Sequence, residues 1–178
     1  ANLILWRLFT TSYDLEQFPD AINWCGVGAA RFPADSRFVE CKLWLMGTGA
    51  VKVNATQPWL MADSMVKLSA PPDRPYAKLH GAALAAGGLF RAGLADSAAR
   101  VLDALDDRAD VDPTKDVSQA VALVWVMMGN KDKAIRNLAL YLSANPARAV
   151  GFDDEHSWEW RSIHDDPRFQ ALVVHKGN

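Results

Sequence analysis

The stretch GNKDKAIRNLALYLSANP, residues 129–146, decides the fold. Ala134, Leu138 and Tyr141 stand at i, i+4 and i+7, a spacing that puts all three on one face of a helix, with the small Ala where a neighbour comes closest. Gly129 lies five residues before Ala134 and Pro146 twelve after it. Glycine permits the left-handed turn that ends a preceding helix, and proline stops a following one. The stretch therefore reads as the second helix of a pair, entered through a tight turn.

The same signature recurs upstream. Ala21, Cys25 and Gly28 form one copy, Ala62, Val66 and Ser69 a second, and Ala98, Leu102 and Leu105 a third. The leading alanines lie 41, 36 and 36 residues apart, and Ala21 is followed by Pro33 at the same distance as Ala134 by Pro146. Each copy has an apolar helix before it: NLILWRLFTTSYDLEQ, DSRFVECKLWLMG with Asp35 or Ser36 as its cap, YAKLHGAALAAGGLFRAG, and KDVSQAVALVWVMMGN. Gly93 precedes Ala98 by five residues, as Gly129 precedes Ala134. An extended linker, TGAVKVNATQ, accounts for the one longer spacing. Pro19 and Pro58 fit first turns of helices, and strand signals are confined to the short KLWLM and AVKVNA. The expected fold is all-α.

Helix pairs at this spacing, with Gly, Ala and Pro in this order, resemble tetratricopeptide (TPR) repeats. The fourth copy matches most fully, through Trp125, Gly129, Ala134, Leu138 and Pro146, with Tyr141 oversized where the family has a small residue. The third keeps Gly93, Ala98 and Leu102 but has Leu89 for the aromatic and Asp110 for the proline; the first has Glu16 where a glycine is usual. The resemblance implies a right-handed α-solenoid of about four hairpins over residues 2–148, at 2–34, 35–74, 76–110 and 115–146, closed by a helical capping tail at 149–178. The tail, read as two short helices with the second starting at Pro167 after Asp166, is similar to the ends of TPR segments in large bacterial regulatory proteins, where an Asp-Pro-Arg-Phe stretch closes the array.

Composition restricts the function classes. A net charge of −2 with scattered Lys and Arg offers no basic surface for phosphates, so nucleic acid is not an expected partner. The longest apolar run, AVALVWVMMG, is about half the length that crosses a bilayer, so no membrane insertion is expected. The chain starts on Ala with no signal-type leader, which fits a processed product or a piece of a larger protein. The expected compartment is the cytoplasm, or the periplasm if a signal was removed. Cys25 and Cys41 each fall inside a helical pattern and read as small buried hydrophobes rather than a disulfide framework or a zinc site, in keeping with a reducing compartment.

No nucleophile elbow, phosphate loop or HExxH is present, and the Gly and Ala of GAALAAGGLFRAG read as close helix packing. His80 has no acidic partner nearby in sequence and reads as groove-facing or partly buried. The cluster DDEHSWEWRSIHDD could be imagined as a metal or acid/base site of Glu155, His156, His164 and Asp165, but on a helix the two histidines would stand about 12 Å apart. No catalytic residue, metal or cofactor is expected. Trp6, Trp44, Trp125 and Trp160 read as core; Trp24, Trp59 and Trp158 remain open between core and partner anchor.

The function implied is protein–protein recognition, with the first helix of each pair lining a concave groove for a peptide or helix of a partner, whether another domain of a larger chain or a subunit of a complex. By the register of the family the groove takes Trp6 and Tyr13 from the first repeat, His80, Phe90 and Arg91 from the third, and Asp116, Gln119 and Met127 from the fourth. A second reading makes the chain a structural subunit that docks by its convex face or Trp-rich tail; a third gives the 153–166 cluster a metal or enzymatic role.

Overall fold

The computed structural model describes residues 1–105, 110–152 and 157–173, and among them there is no strand. The order is α1 (Asn2–Asp14), α2 (Phe18–Arg31), α3 (Arg37–Thr48), α4 (Gln57–Leu68), a 3-10 turn (Pro71–Asp73), α5 (Arg74–Arg91), α6 (Ala95–Asp103), α7 (Asp116–Met127), α8 (Lys131–Ala144), a 3-10 segment (Pro146–Phe152) and α9 (Pro167–Val173). None of these helices is long and apolar enough to cross a membrane. The chain divides into two compact units, Ala1–Leu105 and Asp106–Asn178, so the boundary falls inside the stretch expected to form one array.

Three of the four connections within helix pairs are built alike. The amides of Glu16, Gly93 and Gly129 donate to the carbonyls of Tyr13, Phe90 and Val126, and the next amides, of Gln17, Leu94 and Asn130, reach back to Ser12, Leu89 and Trp125. This double bond pattern closes the first helix and requires a left-handed residue at the turn. Gly93 and Gly129 supply it at φ +83° and +77°, and Glu16 adopts φ +57° in spite of its side chain. Five residues beyond each turn comes a fully buried alanine, Ala21, Ala98 or Ala134. The stops agree as well: Phe32 before Pro33 and Asn145 before Pro146 take nearly the same backbone, φ −132° with ψ 63° and 59°. The second pair departs, with Gly49 in the left-handed region followed by the extended linker, and with Met65 rather than Val66 as the buried neighbour of Ala62.

In the first unit α3 packs against α2, α4 and α5, and α5 against α3, α4 and α6, so α3 and α5 each contact their own partner and the pair before. Small residues allow these approaches. A Cβ on Gly88 would lie 2.7 Å from Pro58 Cγ, one on Gly81 would touch Ala62, and one on Gly28 would overlap the ring of Phe38. The Gly and Ala of α5 thus serve close packing.

The cysteines correct the sequence reading. Cys25, in the middle of α2, and Cys41, in the second turn of α3, are bonded to each other, with Cα atoms 5.9 Å apart. Both are buried, but as a covalent link between the first and second helix pairs rather than as free hydrophobes. Sixteen residues of spacing carry no signature of this; it arises because α2 and α3 pack face to face. A buried disulfide removes the argument for a reducing compartment.

In the second unit, the buried Asp112 caps α7 by accepting from the amides of Asp116 and Val117, and Asn130 caps α8 by accepting from Lys133 N. α9 packs on α8 and on the 3-10 segment. Its Asp-Pro-Arg-Phe start is structural: Asp166 accepts from the amide and guanidinium of Arg168, which also reaches Asp132 of α8 at 2.7 Å, and Phe169 is buried. These bonds hold the Asp166 carboxyl down at about pH 2. The stretch 157–166, expected as part of a helix, instead forms successive turns, with Trp160 and Ile163 buried beneath them.

Candidate functional site

The first unit brings an aromatic row together across α1, α3 and α5. Trp6 and Phe9 have ring centroids 5.3 Å apart, Phe9 and Tyr13 5.7 Å, Tyr13 and Trp44 5.9 Å, Trp44 and His80 6.2 Å, and His80 stacks on Tyr76 at 5.3 Å and 14°. Helical spacing makes the row: Trp6, Phe9 and Tyr13 run at i, i+3 and i+7, and Tyr76 and His80 at i and i+4. Trp44 joins the two sets from the helix between them. Phe9, Tyr13 and His80 are buried, while Trp6, Trp44 and Tyr76 keep part of their rings at the surface.

A charge sits on this row. Glu40, one turn before Trp44 on α3, accepts at Oε1 from Trp44 Nε1 and from His80 Nε2, both at 3.2 Å. Burial opposes the charge of Glu40, yet the bonds from His80 and Trp44, with Arg37 nearby, hold its carboxyl below the usual range. Its side chain is 21% exposed against 7% for His80. His80 Nδ1 is buried without a hydrogen-bond partner among the described residues. The two bonds hold the Glu40 carboxylate against the His80 and Trp44 rings.

Glu40 and Tyr76 also line a cavity of about 700 Å³ between the α2–α3 and α4–α5 connections, together with Phe32, Asp35, Arg37 and Asp73. Asp35 accepts both ends of the Arg37 guanidinium, at 2.9 and 2.6 Å, and the side-chain amide of Asn2 at 3.0 Å. The Arg37 bond outweighs the opposing effect of burial and keeps the Asp35 carboxyl below its ordinary value.

Of the residues expected in a groove, Trp6, Tyr13 and His80 belong to this row, although only Trp6 offers surface. Phe90 and Arg91 stand at the other end of α5, where Arg91 Nε donates to Gly47 O at 2.7 Å and its guanidinium lies 5.4 Å from the Phe90 ring. Asp116, Gln119 and Met127 are half-buried on α7 of the second unit, where Asp116 accepts from the Thr114 hydroxyl. Sequence reasoning missed Glu40, Trp44 and Tyr76 as site residues. The partner of His80 is 40 residues away, beyond any search of its sequence neighbourhood; a glutamate inside the apolar run RFVECKLWLM was the available signal. Trp125 and Trp160 are buried and Trp59 is 40% exposed, while Trp24 and Trp158 are half-buried. Glu155 and His156 of the imagined metal cluster lie outside the described residues, and among the described ones no group of three potential ligands comes together.

Compared with known proteins, the chain matches no family model, no curated protein and no solved structure at a significant level.

Proposed function

We propose that this chain is a non-catalytic recognition module whose helix pairs stack as TPR-like hairpins in a right-handed array, and that the first helices of its first unit receive a peptide or helix from a partner protein. The observation that carries this reading is the aromatic row of α1, α3 and α5, which joins three successive first helices and keeps Trp6, Trp44 and Tyr76 partly at the surface. Partly exposed, rigid aromatic rings backed by a buried layer are favoured anchors for partners because they offer area at small entropic cost. The disulfide favours an oxidising compartment, such as the periplasm, over the cytoplasm.

The reading is tested with Trp6→Ala and Tyr76→Ala, singly and together, against a partner captured from the source organism. Loss of capture with an unchanged unfolding midpoint supports it; unchanged capture by the double variant rejects it. A second reading, docking into a larger assembly by another face, draws on the exposed Leu3 and Ile4 of α1, on Leu15 just beyond its end, and on Trp59 and Leu60 of α4. In that case Trp59→Ala with Leu60→Ala abolishes capture and the row variants do not.

A further inference from the structure

We infer that the cavity between the α2–α3 and α4–α5 connections binds a lysine or arginine side chain of the partner segment lying along α1, α3 and α5. The inference rests on the recognition reading above and names the chemistry it would select. Four charged residues line the cavity: Asp35, Arg37, Glu40 and Asp73. Asp35 and Arg37 neutralise one another through two parallel bonds, which leaves Glu40 on the inner wall and Asp73 on the turn before α5. Glu40 spends Oε1 on both His80 and Trp44, and its other carboxylate oxygen has no donor among the described residues. Asp73 likewise has no side-chain partner among them. A largely buried carboxylate with one oxygen committed and one open to a cavity is an acceptor for a charged donor.

The other walls suit the same guest. Phe32 and Tyr76 present rings, and Met65 and Leu68 apolar surface, along which the methylene stem of a long cationic side chain packs while its charged end meets a carboxylate or a ring face. An anionic guest would be placed against Glu40 and Asp73 and would find the Arg37 fork already engaged by Asp35. Arg74, the residue after Asp73, directs Nε to the carbonyl of Ser69 and is not among the lining residues. The cavity of about 700 Å³ exceeds what one side chain fills, so the neighbouring residues of the guest chain enter with it.

The test uses capped tripeptides with lysine, arginine, norleucine or glutamate between two glycines, titrated into the ¹⁵N-labelled full chain and followed by amide chemical shifts. The lysine or arginine probe is expected to give saturable shifts over 35–40 and 73–77, with norleucine and glutamate binding at least about tenfold more weakly. Glu40→Gln is expected to weaken the cationic probe about tenfold. Asp73→Asn, at an exposed position before α5 where the side chain makes no cap bond, weakens it about threefold and decides the matter if the Glu40 variant does not fold. Absence of saturable shifts with both cationic probes, equal binding of norleucine or glutamate, or wild-type affinity in Asp73→Asn with either result at Glu40 overturns the inference. If the probes fail while Trp6→Ala with Tyr76→Ala still abolishes partner capture, the cationic guest is wrong and the recognition reading stands. If both fail, the reading falls with it.

Discussion

Breaking the Cys25–Cys41 bond perturbs one link whose effect follows from its place in the chain. The bond closes a loop of 16 residues between α2 and α3. Constraining a loop of that length in the unfolded chain is worth about 3 kcal/mol at 25 °C. Both sulfurs are buried, so a reductant does not reach them in the folded protein, and the comparison requires reduction in urea followed by refolding with the reductant present. For a protein whose unfolding free energy falls by roughly 1–3 kcal/mol per molar urea, the midpoint drops by about 1–3 M. Four tryptophans, Trp6, Trp24, Trp44 and Trp59, report on the first unit, and the second unit contains no cysteine. Hydrogen exchange read peptide by peptide is expected to show α1 to α4 losing protection on reduction while α7 and α8 keep theirs. Cys25→Ala with Cys41→Ala is expected to lose the same 3 kcal/mol plus about 1 kcal/mol for lost packing, and to ignore reductant. Two alkylatable thiols in the unreduced, denatured protein, or an unchanged midpoint on reduction, would refute the link.

Other predictions rest on single positions. At residue 16, where φ is positive, Glu16→Gly is expected to be more stable than Glu16→Ala by about 1 kcal/mol in urea unfolding, the reverse of their order inside a helix. Gly88→Ala brings a Cβ against Pro58 and is expected to cost about 1–3 kcal/mol in thermal unfolding; a neutral result would mean that α4 and α5 sit further apart. Asp112→Ala leaves the amides of Asp116 and Val117 without their acceptor, and is expected to cost about 1–2 kcal/mol and to raise exchange at the start of α7. Glu40 and Asp35 have folded carboxyls below their ordinary values of 4.5 and 3.8, so the stability they contribute is present above those values and is lost as pH falls through the lower folded ones. Urea midpoints between pH 6 and 3 are expected to fall less steeply in Glu40→Gln than in the wild type.

The helices were legible because their signals are local. Gly93 and Gly129 announced left-handed turns, Pro19 and Pro58 first turns, and buried alanines followed at fixed distances. Glu16 hid an identical turn because the backbone adopts there what its side chain disfavours. What the sequence concealed depends on which helix faces which. The Cys25–Cys41 bond, the Glu40–His80 pair and the bridging place of Trp44 all require α3 to lie between α2 and α5, a relation no window of sequence contains. His80 was marked as a candidate, but its buried place behind Tyr76 makes it a support for the surface rather than the surface itself. The 157–166 stretch carries a helix-like apolar spacing in Trp160 and Ile163, yet buries both residues from turns bonded at three-residue spacing.

Whether a partner segment lies on the first helices of the first unit is decided by crosslinking mass spectrometry on the protein captured with its partner from the source organism. Crosslinks are expected from Lys78, exposed on α5 beside the Tyr76–His80 end of the row, to one segment of a single protein rich in lysine or arginine. Crosslinks confined to Lys67 on α4 and to Lys131 on α8, spread over several proteins, would contradict that placement and put the contact on other faces.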